Sequence, residues 1–417
     1  MVYERIRSVL GILCFLLVSW IFSNNKKIIN WKVIVWGIFL QAICAFFVFH
    51  FPLGTDFFKF LNEVVLKMLS FAKKGSYFLF GILSISPGEE NSLGFILAFQ
   101  ALPTIIFFSA FISFLYYIKV MQFFIRIFSF VFTKLMNISG AESLCVSSNI
   151  FVGIESVFTI RPYIEKMTKS ELCTILTAGL ATIASSVLGV YVSFLYKTFP
   201  QIAGHLISAS LMSAPASIVI SKILYPEDGK PLTLGKVVKE EYEKPANWVE
   251  SIIIGATEGT KLLVGIVALL LAFLGFLSLF DFLLLKIGNL FSFDLSFEKI
   301  CSFIFYPFVY LMGVPYPDIK IVSNLVGKRL IVTELVSYQE MANLISNGVL
   351  TNVRSITIAS YALCGFAHIA SLSIFVGGIS ALIPSRRKDL SMVGFKALLS
   401  ANLACLMTGA IAGIVSP

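Results

Sequence analysis

The chain has 417 residues, of which 58% are hydrophobic and only 13% are charged. Soluble domains contain about 45–50% hydrophobic residues and about 25% charged residues. So few charged residues cannot cover a water-facing surface, so the composition excludes a set of soluble domains and indicates an all-α integral membrane protein. The net charge of +9 fits the cytoplasmic loops of such a protein better than a nucleic-acid-binding surface.

The sequence contains no pattern typical of a catalytic metal centre or an ATPase. Its seven Cys are widely separated in apolar stretches, and its three His occur without an HExxH motif. The glycine-rich motif of P-loop ATPases is also missing. We therefore expect no organic cofactor and no enzymatic activity.

A helix that crosses a bilayer needs about 20 mostly apolar residues. The first candidate follows Arg5 and Arg7, and no small-residue cleavage site comes after it, so we interpret it as a retained helix rather than a signal peptide. Residues 55–75 mix Phe and Leu with charges, which predicts a helix lying in the membrane interface. The whole pattern predicts about eight transmembrane helices. Runs without Asp, Glu, Lys or Arg fall at 8–25, 33–55, 91–118, 172–196, 198–221, 262–280, 300–317, 355–385 and 397–417.

Loop charge predicts the orientation of these spans. Lys26, Lys27 and Lys32 follow the first span, and basic residues 386–388 precede the last one. Because basic loops stay in the cytoplasm, both chain termini are expected outside. The polar stretch 226–250 mixes charges of both signs and is expected to connect two halves of the chain.

Two apolar segments are interrupted near their middle. Residues 139–166 carry charged residues and two Gly, and residues 300–345 carry a Gly-Val-Pro-Tyr-Pro break at 313–317. Each segment precedes two long spans, so one pattern occurs twice. Duplicated units with interrupted helices in corresponding positions are typical of secondary transporters that hold the substrate at the membrane midplane.

The two interrupted segments carry a Glu at matching places, Glu155 in the first and Glu334 in the second. A carboxylate within a bilayer is costly and usually faces a partner or a solute pathway. The structural alternatives are pairing of Glu155 with Arg161, and of Glu334 with Lys328 or Arg329. Their matching positions favour the functional interpretation, in which both bind donor groups of a polar solute.

Neutral oxygens form a second candidate group. Asn149 lies near the break of the first segment, and Thr182 lies in a stretch of small residues where a helix unwinds at modest cost. With the carbonyls of Val152 and Ile183, they would suit a monovalent cation such as Na⁺. Asn and Thr also bind neighbouring helices together, and spacing alone favours that simpler role.

Polar residues also interrupt the apolar run at 355–385, which contains Phe366, His368 and Ser371. A single His is often a satisfied core residue, although polar groups within a membrane span tend to mark pathways. Phe366 would serve equally well in lipid-facing packing.

At these residues the chain resembles the concentrative nucleoside transporter family, over essentially its whole length. The segments that carry the resemblance are LAFQALPTIIFFSAFISFLYYIKVMQ (97–122), SGAESL, SNIFVG and IRPYI (within 139–164), HLISASLMSAPASI (205–218), YPFVYLMGVP (306–315) and CGFAHIASLSIFVGGISALIPSRRKD (364–389).

The resemblance implies a homotrimer in the inner membrane that works by an elevator-like movement. Each protomer would combine a scaffold with a transport domain that contains two re-entrant helical hairpins in an inverted repeat. The expected division is 1–120 for scaffold spans and the interfacial helix, 121–225 for the first transport repeat, 226–290 for the connector and a scaffold span, and 291–417 for the second transport repeat.

The resemblance also assigns roles to residues. Glu334 matches the ribose-binding Glu, Phe366 and Ser371 match pocket residues of a broken helix, and the first hairpin tip contacts the nucleobase. The implied substrate-binding set is Gly153, Ile154, Glu155, Ser156, Glu334, Phe366, His368 and Ser371. The implied Na⁺ ligands are Asn149, Val152, Thr182 and Ile183.

Two departures from the family pattern lie in this pocket. The first hairpin tip, residues 153–159, is one residue shorter than usual and lacks the Gln-Thr pair that reads the base. His368 stands where an Asn that contacts the ribose is expected, and an imidazole is larger and titrates near neutral pH. We expect an altered base specificity.

The sequence therefore predicts a Na⁺-driven nucleoside symporter. The alternative is a proton-coupled carrier of nucleosides or of a related solute, with His368 or Glu155 as the titrating group. A membrane-embedded enzyme, a channel and a non-transporting receptor are the other classes. The preferred base, the choice between ribose and deoxyribose, and the stoichiometry are not predicted.

Overall fold

The computed structural model describes residues 2–87, 89–240, 244–290 and 296–416, without the side chains of Ile154, Glu155 and Glu298. Regular structure in these ranges is helical, apart from one isolated bridge between Ser139 and Leu234. The predicted all-α class is confirmed. The helices are α1 (Val2–Ile21), α2 (Trp31–Phe49), α3 (Pro52–Phe80), α4 (Leu97–Gln100), α5 (Thr104–Tyr117), α6 (Val120–Val131), α7 (Gly140–Asn149), α8 (Arg161–Ile164), α9 (Lys169–Ala181), α10 (Ser185–Leu195), α11 (Ile202–Leu224), α12 (Trp248–Leu290), α13 (Phe297–Leu311), α14 (Ile319–Ile331), α15 (Glu334–Ser346), α16 (Val353–Leu363), α17 (Ile369–Leu382) and α18 (Arg387–Val415).

Six stretches of the described chain are long and apolar enough to cross a membrane. They are Trp31–Phe49, Leu97–Tyr117, Lys169–Leu195, Ile202–Leu224, Trp248–Leu290 and Pro384–Val415. The helix α1 has sufficient length, but Glu4, Arg5 and Arg7 stand at its start. The total of about eight therefore stays a prediction, as does an interfacial position for α3, the helix that contains the expected 55–75 segment.

Burial separates a central group of helices from a peripheral one. In the most apolar part of each stretch, 89% of the residues are buried in Lys169–Leu195 and in Ile202–Leu224, against 6% in Trp248–Leu290. Residues 262–280 of α12 carry no charge, and the helix is largely exposed, which is typical of a surface that faces lipid or another apolar partner. The central helices hold the polar residues that the sequence singles out.

Two of the central apolar runs are interrupted. The run at 172–196 divides into α9 and α10, because Thr182 takes an extended conformation and the helix restarts only after Ala184. The run expected as a single span at 355–385 divides into α16 and α17, with residues 364–368 between them. Each interruption leaves free backbone groups and a new helix start inside the protein.

Each interruption lies near a pair of short helical segments. In the first pair α7 is followed by a 3₁₀ segment at 154–160 and then α8; in the second pair α14 and α15 are joined at Val332–Thr333. The Gly-Val-Pro-Tyr-Pro break at 313–317 therefore separates α13 from α14 rather than forming the turn of the second pair. Gly313 is required there, because its φ is 82° and a Cβ would lie 2.2 Å from Ser8 Oγ.

The two ends of the described chain lie together; their predicted orientation in the membrane stays a prediction. The Arg5 guanidinium donates to the Ser416 carbonyl over 3.3 Å. The loop that follows α1 contacts the end of α11, since Asn24 N–H donates to the Leu224 carbonyl over 3.0 Å, and Lys396 of α18 donates to the Phe22 carbonyl over 3.2 Å.

Candidate functional site

A cavity of about 90 Å³ lies where three helices begin. The start of α10 follows Ala184, Thr333 caps α15, and His368 caps α17. Helix starts present unpaired N–H groups and a partial positive charge, so this cavity favours hydrogen-bond acceptors and carboxylates. Its remaining wall is apolar and comes from Leu262, Ile266 and Leu269 of α12 together with Leu335, Ile374 and Phe375.

The carboxylate of Glu334 is the charged group of this cavity. Glu334 is only 3% exposed. The Tyr191 hydroxyl donates to Glu334 Oε1 over 2.7 Å, and His368 Nε2 lies 3.0 Å from Glu334 Oε2. The position at the first turn of α15 also suits a negative charge.

The structural alternative for Glu334 is wrong. Lys328 binds Glu340 at 2.8 Å, and Arg329 binds the Ala362 carbonyl and Asn402. Among the described residues neither cation pairs with Glu334. The Tyr191 hydroxyl donates to one carboxylate oxygen, and the other oxygen, 3.0 Å from His368 Nε2, accepts no hydrogen bond and remains available in the cavity.

The hydrogen bonds of His368 define its proton positions. Ser371 N–H donates to His368 Nδ1 over 3.2 Å, so this nitrogen carries no proton. The neutral imidazole then has its proton on Nε2, which lies 2.8 Å from Ser371 Oγ and faces Glu334. His368 therefore caps α17 and lies beside the carboxylate of Glu334.

The other residues of the implied substrate set are distributed unevenly. Gly153, Phe366 and Ser371 line the cavity. The hydroxyl of Ser156 is buried against α7, 3.6 Å from Cys145 Sγ, and it does not belong to the described cavity lining. The predictions for the side chains of Ile154 and Glu155, including the Glu155–Arg161 pair, lie outside the described residues.

A larger cleft of about 1240 Å³ adjoins the cavity. Ser186 lines both spaces, and Val152 in the cleft precedes Gly153 in the cavity. The cleft runs between the first helical pair and the helices α5 and α12, and it reaches Pro384 and Ser385 beside the basic residues expected in the cytoplasm. The cleft and the cavity are therefore neighbouring spaces that share Ser186 as a wall.

Asn149 and Thr182, two of the four predicted cation ligands, contact each other where α7 ends and α9 is interrupted. Asn149 is fully buried; its Nδ2 donates to the Cys145 carbonyl, but its Oδ1 has no hydrogen-bond partner among the described residues. The Thr182 hydroxyl donates to the Asn149 carbonyl over 3.2 Å and to the Ala178 carbonyl over 2.9 Å. The contact joins the two segments that also contain Val152 and Ile183.

A buried amide oxygen without a partner is costly, so a cation that binds it would be favoured. Amide, hydroxyl and carbonyl oxygens are neutral ligands that suit a hard cation of low charge. No cluster of His, Cys, Asp and Glu that would hold a divalent metal occurs in the described part of the chain. The donor set therefore fits Na⁺ better than Zn²⁺ or another transition metal.

Tyr191 and Arg329 were not identified as site residues from the sequence. Tyr191 lies in an apolar run that looks like a plain membrane span, and its partner Glu334 lies 143 positions away. Arg329 was considered only as a partner of Glu334. No local spacing signal identifies either residue.

These geometric features coincide with clear similarities to known proteins. Models described as the C-terminus and N-terminus of Na⁺-dependent nucleoside transporters match residues 205–413 and 10–83, and a nucleoside recognition (Gate) model matches 98–198. An all-helical chain with these matches belongs to a family of membrane transporters. The chain belongs to the Na⁺-dependent (concentrative) nucleoside transporter family, so the family expectation is confirmed, and its relatives are transporters rather than enzymes.

Relatives extend over nearly the whole chain. Solute carrier family 28 member 3 of Mus musculus is 38% identical over 97% of this chain, and the match spans 58% of that protein. An uncharacterized transporter of Haemophilus influenzae is 34% identical, with 98% and 97% of the two chains covered. The chain thus spans somewhat more than half the length of the mammalian relatives.

Solved structures share the fold. CNTnw in an inward-facing, substrate-bound state matches with a TM-score of 0.90 at 32% identity, covering 100% of this chain and 99% of that one. A CNTnw variant in an outward-facing state matches with a TM-score of 0.91 at 31% identity, with the same coverage.

Proposed function

We propose that the chain is a symporter that imports nucleosides with Na⁺ across a cell's inner membrane. The observation that carries this proposal is the Glu334 carboxylate in a small cavity, positioned by Tyr191 and His368. A carboxylate held in this way accepts hydrogen bonds from adjacent hydroxyl groups, such as those of a ribose. Phe366 offers an aromatic face to the same solute.

Na⁺ is the second substrate in this proposal. It binds at Asn149 Oδ1, the Thr182 hydroxyl and the carbonyls of Val152 and Ile183. These ligands come from the end of α7 and from the α9–α10 interruption, so the bound ion holds these two segments together. Residues 153–158 follow directly, and their ordering completes the substrate cavity.

The driving force is sufficient for accumulation. A tenfold Na⁺ gradient supplies about 1.4 kcal/mol, and a potential of about 100 mV adds about 2.3 kcal/mol per charge. The sum of about 3.7 kcal/mol supports accumulation of about several hundredfold with one Na⁺ per solute.

The movement in this proposal is elevator-like. The central helices of 121–225 and 291–417 carry both sites and move together against a scaffold that includes α12. The sharp difference in burial between α12 and the central helices supports this division. The apolar, exposed surface of α12 is available for contacts in a homotrimer, and the mass of the solubilised particle tests that assembly.

The base specificity is proposed to differ from the usual family pattern. The first tip lacks the Gln-Thr pair, and His368 replaces the expected Asn while binding Glu334 and Ser371. Losing one hydrogen-bond partner in a dry site costs about 1–3 kcal/mol, so two changes shift preferences by about a hundredfold.

Uptake into proteoliposomes tests the proposal. Radiolabelled uridine and adenosine are offered with an inward Na⁺ gradient, with an inward proton gradient, or with neither. Saturable accumulation that requires the Na⁺ gradient is expected. Accumulation driven by protons alone would instead establish the proton-coupled alternative, and flux that neither saturates nor concentrates would identify a channel. Binding without uptake would identify a receptor.

A further inference from the structure

Arg329, near the end of α14, is completely buried. Among the described residues, no carboxylate lies within ion-pairing distance of its guanidinium group, and the neighbouring Lys328 binds Glu340 instead. A buried cation is strongly unfavourable unless hydrogen bonds replace its hydration. Neutral acceptors must therefore stabilise Arg329, and their identity indicates what this arginine does.

The first acceptor is the carbonyl of Ala362. This carbonyl lies in the last turn of α16, where carbonyl groups have no partner within the helix. The negative end of the helix dipole also attracts a cation at this point. Arg329 therefore stabilises the end of α16 just before the interruption at 364–368.

The second acceptor is Asn402 Oδ1 on α18, at 2.5 Å from the guanidinium. The amide nitrogen of the same side chain donates to the Ala367 carbonyl over 3.1 Å and to the Leu398 carbonyl over 2.9 Å. We call this pair the Arg329–Asn402 bridge. It holds the backbone before and after Phe366 through two side chains that bind each other.

The segment held by the bridge has little freedom to move towards α9. A Cβ on Gly365 would lie 2.8 Å from the Ala181 carbonyl, so the two interrupted helices touch at this glycine. Phe366 lines the substrate cavity and His368 contacts Glu334. The shape of the interruption therefore sets where both side chains stand.

We propose that the Arg329–Asn402 bridge is a positioning device for substrate recognition. Arg329 belongs to the same helical pair as Glu334, five positions earlier. The bridge thus ties the helical pair that carries the carboxylate to the interruption that carries Phe366 and His368. Nucleoside affinity then depends on two side chains that do not line the cavity. The ligand named here rests on the proposed function, whereas the bridge itself does not.

The first test replaces Arg329 with Met, which keeps the volume and removes every donor. Nucleoside dissociation constants are measured at saturating Na⁺ on the full-length protein, together with the thermal midpoint. We expect Arg329→Met to weaken nucleoside binding about tenfold. Unchanged affinity in the folded variant would overturn the proposal.

Arg354 offers a matched control. It is also buried, and its guanidinium binds three carbonyls, those of Gly313, Gly413 and Ser416, at the opposite end of α16. Arg354→Met is expected to lower the thermal midpoint and to leave the affinity of the folded fraction unchanged. An equal loss of affinity in both variants would mean that Arg329 acts only through general stability.

Asn402→Asp tests the contact of Asn402 with Ala367 separately from its contact with Arg329. It also serves as the second variant if Arg329→Met does not fold. The aspartate still accepts from Arg329 and adds an opposite charge, but it cannot donate to the Ala367 and Leu398 carbonyls. We expect weaker nucleoside binding and a thermal midpoint above that of Arg329→Met, because the ion pair with Arg329 offsets part of the lost hydrogen bonding. Wild-type affinity in this variant would overturn the proposed role of the branch to Ala367.

Hydrogen exchange tests the Arg329–Asn402 bridge in the absence of nucleoside. Amides of 363–372 should exchange faster in Arg329→Met and Asn402→Asp than in the wild type or in Arg354→Met. No selective change at 363–372 would contradict the bridge. If the wild type binds no nucleoside, the proposed function fails, and this exchange pattern still supports or overturns the bridge.

Discussion

The two helix interruptions of this protein are surrounded by different chemical groups. The interruption between α9 and α10 is short and surrounded by neutral oxygens, with the free amide oxygen of Asn149 beside Thr182. The interruption between α16 and α17 is surrounded by ionisable groups, namely Glu334, His368 and Arg329. Neutral oxygens suit a monovalent cation, whereas a positioned carboxylate suits a solute with hydroxyl groups. This difference supports the proposal that the ion binds at the first interruption and the organic solute at the second.

The largest effect on nucleoside affinity is expected from a substitution of Glu334. Glu334→Gln keeps the shape but removes the charge that accepts hydrogen bonds from a solute and from Tyr191. Each hydrogen bond to a charged group is worth about 1.5–3 kcal/mol, so nucleoside affinity should fall by at least about a hundredfold. Binding at saturating Na⁺ measures this change.

Glu340→Gln is the control for that substitution. Glu340 lies on the same helix α15 but binds Lys328 at the partly exposed side. Its substitution should leave nucleoside affinity unchanged. If both variants bind like the wild type, Glu334 does not belong to the solute site.

A smaller effect is expected from Tyr191→Phe. The substitution removes the hydroxyl that donates to Glu334 Oε1 and leaves the ring in place. Nucleoside affinity should therefore fall about tenfold to a hundredfold. Tyr338→Phe is a close control, since both rings are fully buried with centroids 4.8 Å apart, and the Tyr338 hydroxyl binds the Ser360 carbonyl instead. A larger affinity loss in Tyr338→Phe would contradict the assignment of Tyr191.

The smallest effect is expected from His368→Asn. Asparagine is a good helix cap, so α17 should still begin at the same place. The smaller side chain alters the contact with Glu334, and we expect the ratio of ribonucleoside to deoxyribonucleoside affinity to change about threefold to tenfold. Competition binding measures the ratio. His205→Asn, at a half-buried His outside the cavity, should leave it unchanged.

Much of the candidate site was predictable from the sequence because its residues break an apolar pattern. Glu334, His368 and Asn149 stand out in runs that otherwise contain few polar groups, and the structure places the first two in contact. Their roles in binding remain predictions until they are measured. The all-helical fold was predictable for the same reason, since a chain with so few charges has few alternatives.

Other features left no local signal. The interruption at 364–368 consists mainly of small and apolar residues, so the run at 355–385 has the pattern of one continuous span, and only the family resemblance implies a broken helix there. The roles of Tyr191 and Asn402 depend on hydrogen-bond partners that lie far away in the chain. The turn of the second helical pair was placed at the conspicuous glycine and prolines of 313–317, whereas Val332–Thr333 has no such marker.

The most direct test of the divided roles is a linked binding titration of the wild type and Asn149→Ala. Nucleoside dissociation constants are measured with and without Na⁺, and Na⁺ dissociation constants with and without nucleoside. Each ligand must change the affinity of the other by the same factor. Asn343→Ala, at an exposed position of α15, is the control.

We predict that Na⁺ strengthens nucleoside binding about tenfold or more in the wild type and in Asn343→Ala. In Asn149→Ala this strengthening should disappear, while the affinity measured without Na⁺ stays the same. An equal dependence on Na⁺ in Asn149→Ala would contradict the account and place the ion elsewhere.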